Sequence, residues 1–323
     1  MINPDILEII DAATKAQSAH NTQPWKFSVN GFSIEIHPDL THKTPVADPD
    51  GRELYISIGC ATENLCLAAM ERHYSPTFSM HESDGNVFIK VNLTKDESQK
   101  ANSLASAIPH RHTNRMKYNG QLIPDEVIAQ LCAVENEKGV KAYFFKHGEK
   151  PFDWLTNLVK HSNYVLYNNF AFKKELLQWI RFNKRHAMKT LDGLTYNSLG
   201  FPPIPSFLGS AIAYSQLKPQ VQIKDYQQKI LSSSHLVLFT VQGNQPTDWI
   251  YLGIYLERML LKMHLLGISS TYLNQPCELP EFVDEIKTHL SLTTETPHIL
   301  LRIGFSRKAV LSPRRSIEAV MEC

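Results

Sequence analysis

Two stretches of this chain align with one another. ISIGCATENLCLAAMERHYSPTF, from Ile56, aligns with IYLGIYLERMLLKMHLLGISSTYL, from Ile250, at an offset of 194 residues (253 minus 59). Ile56, Gly59, Glu63 and Leu67 then fall on Ile250, Gly253, Glu257 and Leu261, and Leu65 falls on Met259. Both copies space apolar residues as a helix does and carry one small residue that permits close approach. At 323 residues the chain is about twice the ~150-residue prior for one domain. Duplication therefore predicts a pseudo-dimer, two copies of one unit facing each other across paired long helices, with sites formed between the halves. Composition offers the other explanation: two buried helices that each need a small residue resemble one another without common origin.

Composition removes several function classes. Hydrophobic residues make up 43% and charged residues 20%, which allows a buried core without metal or disulfide staples. Thirty-three Lys plus Arg against 32 Asp plus Glu leave a formal charge of +1, too balanced for a general nucleic-acid or membrane-surface binder. Any anion site must be local. Cys60, Cys66, Cys132, Cys277 and Cys323 are odd in number, with no C-x-x-C pair and no zinc spacing, so they read as reduced thiols and no metal is expected. The N-terminus lacks the basic and apolar regions of a secretory signal. Glu257, Arg258, Lys262 and His264 interrupt the most apolar helix candidate. A cytoplasmic protein with no membrane or nucleic-acid partner is the expectation.

Along the chain, residues 4–17 predict a helix and residues 25–38 a hairpin about Asn30-Gly31. Asp48-Pro49-Asp50-Gly51 is a turn with capping carboxylates ahead of a helix over 52–73, and residues 87–93 alternate as a strand. The polar run 94–103 places a boundary near residue 100, giving units 1–100 and 101–323. The second half predicts a helix over 124–134, a strand over 140–146, helical structure to about residue 190, and a Gly- and Pro-rich loop over 193–209. Buried strands follow over 235–241 and 298–303, with a long helix over 248–267 between them. The sum is α+β, with strands too scattered for βαβ alternation. The loop reads as a cover over a pocket or, equally, as a surface connector.

Four segments could carry chemistry. Ser18-Ala19-His20-Asn21-Thr22-Gln23-Pro24-Trp25 combines amide side chains, a rigid proline and a flat ring, suited to the edge of a heteroaromatic ligand or, more plainly, to a helix-ending turn with a core tryptophan. Arg111-His112-Thr113-Asn114-Arg115 sets two forked guanidiniums four residues apart, suited to a phosphate monoester or else to a solvated basic turn. Ser312-Pro313-Arg314-Arg315-Ser316 adds two cations that could join the same phosphate or form an exposed basic end. In Asn274-Gln275-Pro276-Cys277-Glu278-Leu279-Pro280 the prolines stiffen a backbone whose N–H could meet one atom of a flat cofactor. Cys277 lacks an activating neighbour in sequence and reads as a bystander thiol. Dinucleotide-fold, P-loop, serine-hydrolase and zincin motifs are absent.

In this order the segments resemble the nitroreductase superfamily of FMN flavoproteins, and within it the fused, two-unit Acg-type branch. HNTQPWKFSV is similar to the superfamily's N-S-Q-P-W turn and strand, and DPDGRELYISIGCATENLCLAA to the branch's first long helix. HRHTNRMKYNGQLIPDEVI is similar to the R-x-S-x-R start of a nitroreductase unit. The resemblance continues through DWIYLGIYLERMLLKMHLLGISSTYLNQPCELP and LLRIGFSRKAVLSPRRS. It implies a nitroreductase-like α+β fold with long central helices and mixed sheets. It also implies FMN as the cofactor, one per chain, its phosphate bound by Arg111, His112, Thr113 and Arg115 with Arg314 or Arg315. Ser18, Asn21 and Gln23 would meet the flavin and ribityl chain. Gln275, Pro276, Cys277 and Glu278 would lie over one ring face, the N–H near Glu278 facing flavin N5.

The flavin carries the chemistry, so no catalytic side chain is expected; Arg181 is taken as a candidate cation on the N1 side. The implied activity is reduction of nitroaromatic, quinone or similar acceptors with NAD(P)H, in a monomeric pseudo-dimer or a weak homodimer. The alternative is a protein that sequesters FMN beneath segment 193–209, which matches the branch's lid, and turns over little.

Overall fold

The computed structural model describes residues 2–137 and 139–322. Helix α1 (Pro4–Thr14) starts at Asn3, whose side chain accepts from the Asp5 N–H at 2.9 Å, an N-cap that satisfies one orphan donor. Strands β1 (Trp25–Asn30) and β2 (Ser33–Pro38) form the expected hairpin. Helix α2 (Arg52–Glu71) follows the Asp48 turn, and both Asp48 carboxylate oxygens accept helix N–H groups, from Glu53 and Leu54 at 3.0 Å. Strands β3 (Tyr74–Ser83) and β4 (Asn86–Lys95) complete the first half.

The chain continues through α3 (Asp125–Cys132), β5 (Val140–Lys146), α4 (Lys150–Asn168) and α5 (Phe170–Gln178). The next stretch alternates short elements: β6 (Ile180–Arg181), α6 (Lys184–Thr190), β7 (Leu194–Thr195), α7 (Ser206–Gln216) and α8 (Pro219–Ile230). It ends with β8 (His235–Gln242), α9 (Pro246–Leu265), β9 (Ser269–Tyr272), α10 (Gln275–Glu278), α11 (Pro280–His289), β10 (Glu295–Gly304) and α12 (Ile317–Val320). Two expectations need correction. Structure to about residue 190 is not one helical run, because β6 pairs in parallel with β7. The loop over 193–209 is interrupted by β7 and passes into α7 at Ser206. A run of prolines, Pro202, Pro203 and Pro205, hides that start, since proline is tolerated just ahead of a helix.

Two compact units result. The first comprises Met1–Arg111, Gln245–Leu265 and Pro313–Cys323, and the second His112–Asn244 and Leu266–Ser312. These bounds follow compactness, whereas the division near residue 100 follows the polar run 94–103; residues 101–111, α9 and the segment from Pro313 lie beyond that division yet belong to the first unit. Each unit has one four-stranded antiparallel sheet, ordered β1-β2-β4-β3 in the first and β5-β8-β10-β9 in the second. Among the described residues, β6 and β7 pair in parallel, and Phe27 of β1 makes one isolated parallel bridge with Met321.

The first unit is organised on α2 against α9. A methyl carbon on Gly59 would lie 2.1 Å from the Ile250 carbonyl oxygen and 2.9 Å from the Gly253 Cα; one on Gly253 would meet the Ile56 oxygen and the Gly59 Cα at the same two distances. The contact is reciprocal in the residues that the repeat aligns. Its glutamates behave alike too: Glu63 takes Arg258 at 2.8 Å and Glu257 takes Arg111 at 3.0 Å. We expect Gly253→Ala to cost about 3 kcal/mol through backbone separation, read as a lower urea midpoint; an unchanged midpoint would mean that the helices slide apart freely.

Candidate functional site

The residues singled out by sequence fall into two clusters, one in each unit. In the first unit, the turn after α1 is held in a rare backbone geometry. His20, Asn21 and Gln23 have φ of 49°, 56° and 54°, left-handed values that cost about 1–3 kcal/mol each outside glycine. The Ser18 hydroxyl steadies the turn by accepting the Gln23 N–H at 3.0 Å. Strain of this kind persists only where surroundings over-determine it, and here they are the C-terminal tail. Asn21 Nδ2 donates to the Pro313 carbonyl at 3.1 Å, and Gln23 Oε1 accepts the Arg315 N–H at 2.8 Å.

That clamp sends the two tail arginines different ways. Arg315 Nη1 reaches Asp39 at 3.2 Å and the Gln23 carbonyl at 3.1 Å, and its Nη2 donates to Ala319 O at 2.8 Å. Its guanidinium is spent on holding the tail. Arg314 turns inward, with Nη1 donating to Asn21 Oδ1 and Nη2 to the Lys15 carbonyl at 2.9 Å. Arg111, buried, donates from Nη2 to the same Lys15 oxygen, also at 2.9 Å. The sequence left the proximity of tail and basic turn open; Arg111 and Arg314 share one acceptor.

Their charge is only half balanced. Glu257 is wholly buried and lies 3.0 Å from Arg111 Nε. That contact is close as a charge pair but poorly aligned as a hydrogen bond. Burial pushes the Arg314 guanidinium down to about 9, with Arg111 adding in the same direction and Glu257 opposing. It still carries its charge at neutral pH. Two cations with one carboxylate, Arg111 buried and Arg314 half-buried, are an expensive arrangement, and an arriving anion would offset their repulsion. Nearby Cys60 donates to the Gly253 carbonyl at 3.1 Å. Burial and then the Glu257 charge raise its thiol well above the ordinary range, so it supplies no nucleophile.

The second unit holds the other candidates. Buried Asn114 pins the basic turn: its N–H donates to Ser270 O at 2.9 Å, and Nδ2 to Arg307 O at 2.8 Å. His112 Nε2 accepts the Ala309 N–H at 3.2 Å, and Thr113 is half-buried beside it. Arg115 makes no hydrogen bond or ion pair among the described residues. Burial lowers its guanidinium from the ordinary value, while the phenols of Tyr226, Tyr272 and Tyr118 act the other way. Gln275, nine-tenths buried, donates from Nε2 to Tyr226 Oη at 2.9 Å, leaving its Oε1 without a hydrogen bond.

Three sequence readings change here. The Glu278 N–H, expected to face a cofactor, donates to Asn274 O at 3.1 Å inside the turn of α10. The Cys277 side chain packs into the apolar core with Leu155, Leu238 and Leu300, and its N–H donates to Asn274 O at 2.7 Å, so this turn offers a ligand no free backbone donor at Pro276, Cys277 or Glu278. Arg181 is committed to Asp192 at 2.7 Å, to Thr190 Oγ1 at 2.8 Å and to Gln178 O at 2.6 Å; it braces β6 and β7 rather than a cofactor. Sequence reasoning also passed over Arg302, buried in β10, which stacks 4.0 Å from the Tyr118 ring and donates to Met116 O at 2.8 Å. A lone arginine inside HILLRI was its only signal.

No family model matches the chain. Across 329 residues, 97% of this chain and 90% of the relative, it is 24% identical to the Mycobacterium tuberculosis protein named "Putative NAD(P)H nitroreductase Rv3131". It is 20% identical to that organism's "Putative NAD(P)H nitroreductase acg" over 99% of this chain and 96% of the relative. Nearly end to end, the chain resembles proteins that carry the nitroreductase name. Among solved structures, the FMN-dependent nitroreductase NfnB from Mycobacterium smegmatis is similar over 68% of this chain and 99% of its own, at 12% identity and a TM-score of 0.44.

Two outcomes follow from the charges. Glu257→Ala would leave Arg111 and Arg314 without a counter-charge, so we expect a loss of about 3–5 kcal/mol of unfolding free energy in urea titrations. At Asp39, burial opposes ionisation, but hydrogen bonds from His42 and Thr41 and the charges of His42 and Arg315 outweigh it and hold the carboxyl below its ordinary range. Its contribution is complete above the unfolded value near 4 and lost as pH falls below it. The protection factor of the Glu322 N–H, bonded to Phe27 O at 2.8 Å, its exchange rate relative to the intrinsic rate at the same pH, should therefore fall in acid, and Asp39→Asn should abolish that fall.

Proposed function

We propose that this protein is an FMN-dependent oxidoreductase of the nitroreductase type and Acg-type branch, taking reducing equivalents from NAD(P)H to nitroaromatic, quinone or similar acceptors. The observation that carries the reading is the pair of buried Arg111 and half-buried Arg314, two forked donors on one carbonyl oxygen with a single carboxylate, Glu257, beside Arg111. A phosphate monoester would meet two guanidiniums there, one of whose charges Glu257 leaves unbalanced. The names of relatives matched over nearly the whole chain support the same reading. The reading also takes residues 1–100 and 101–323 as two related copies.

When bound, FMN supplies electron transfer between donor and acceptor. The residues supply position. Arg111 and Arg314 would hold the phosphate, while Ser18, Asn21 and Gln23 keep the strained turn and the tail in place beneath them. For the second unit, the resemblance offers Arg115, His112, Thr113 and Gln275 as candidate contacts for FMN. Arg315 acts as the tail's anchor.

Arg314→Ala should weaken FMN retention by about 1.5–3 kcal/mol, the worth of a hydrogen bond to a charged group, measured by flavin fluorescence on dilution. Arg115→Ala tests the second unit's assignment in the same way. Retention unchanged in both would refute the site. Adding NADPH to the yellow protein separates reductase from sequestration: rapid bleaching supports turnover, and reduction by dithionite alone supports storage.

A further inference from the structure

Helix α7 is built inside out. It lies against its own unit through Gly209, Ala213 and Leu217, on one helical face. Gly209 is pressed onto the Phe182 ring, where an added Cβ would come within 2.4 Å. The large residues face outward: Phe207 is 85% exposed, Leu208 45% and Ile212 41%. A helix that served only its own core would bury these and expose the small ones. Exposed contiguous apolar surface of this kind marks an interaction site.

The surroundings of α7 carry charge of one sign. Asn183 caps α6 by accepting the His186 N–H, and its Nδ2 donates to Ile204 O and Ser206 Oγ at 2.9 Å. The exposed Lys184, Arg185 and Lys189 thus stand beside the start of α7. On the other side, Lys173 Nζ lies 5.0 Å from the Tyr214 ring. Residues 170–224 contain eight Lys or Arg, of which Arg181 is buried and paired with Asp192, and two acids, Glu175 and Asp192, both buried; the next acid, Asp225, pairs with Lys229. The balance of the whole chain, which predicts no membrane-surface partner, conceals this local segregation.

We propose that the α5–α7 surface of the second unit binds an anionic phospholipid bilayer from one side, with Phe207, Leu208 and Ile212 in the headgroup–acyl boundary and Lys184, Arg185 and Lys189 against lipid phosphates. Apolar residues flanked by cations are what an interfacial helix requires. No helix of the described residues is long and apolar enough to cross a membrane, so the contact is peripheral. A second copy fits less well, because a two-fold contact would set the same cations against themselves. A nucleic acid would leave aliphatic Leu208 and Ile212 without a partner.

The test is co-sedimentation of the full chain with vesicles of phosphatidylcholine, and of phosphatidylcholine mixed with phosphatidylglycerol. We expect binding to the mixed vesicles alone, release by salt, and a loss of about ten-fold or more in Phe207→Ser. Lys184→Glu with Arg185→Glu should cost at least about 25-fold, taking roughly five-fold per lost cation. The proposal is overturned if the protein stays in the supernatant with both vesicles or binds both equally. It is also overturned if Phe207→Ser abolishes a concentration-dependent dimer while vesicle binding is absent, or if only nucleic acid is retained.

Discussion

Gly59 and Gly253 let two backbones approach until each glycine's missing side chain is the space its partner occupies. The rest of the first unit follows from that approach. Helix α9 arrives from late in the sequence, and one helical turn beyond Gly253 it carries Glu257, placed by the crossing rather than by local sequence. Because Glu257 is wholly buried, it needs a cation, and Arg111 supplies it. A packing constraint thereby becomes an electrostatic one.

Arg314 then upsets the balance. The tail that bears it is clamped by Asn21 and Gln23 and anchored through Arg315 to Asp39, so its guanidinium stays near Arg111 although the two repel. Three left-handed residues in the facing turn show that the fold accepts backbone strain at the same place. Strain and uncompensated charge concentrated together are the observation on which the proposed anion site rests. In the second unit, Arg115 lies among the phenols of Tyr226, Tyr272 and Tyr118.

Legibility in the sequence followed the range of each interaction. Helices α1, α2 and α9 and strands β1, β2, β4, β5, β8 and β10 announced themselves by period, because one face of each is buried or the whole element is. Strand β3 did not, since Pro76 and a run of polar residues disguise a mostly exposed ribbon. Helix α7 was hidden by its reversed faces and α8 by its polar composition. The two clusters contained residues that the motifs had named, but partners far apart in sequence were out of reach. Glu257 was visible as a repeated glutamate, yet nothing local connects it with Arg111, and Tyr226 lay in a helix that had not been recognised. Arg181 illustrates the converse: an arginine with the right chemistry was already committed to Asp192.

The central claim is that paired guanidiniums, and not the flat ring alone, select the ligand. Calorimetric titration of the apo protein with FMN and with riboflavin tests it most directly, since the two differ only in the phosphate. The account expects FMN to bind at least about 100-fold more tightly, as two charge-assisted hydrogen bonds allow, with the gap closing when Arg111 and Arg314 are both replaced by alanine. Equal affinities in the unaltered protein, or a gap that survives the double replacement, would contradict it.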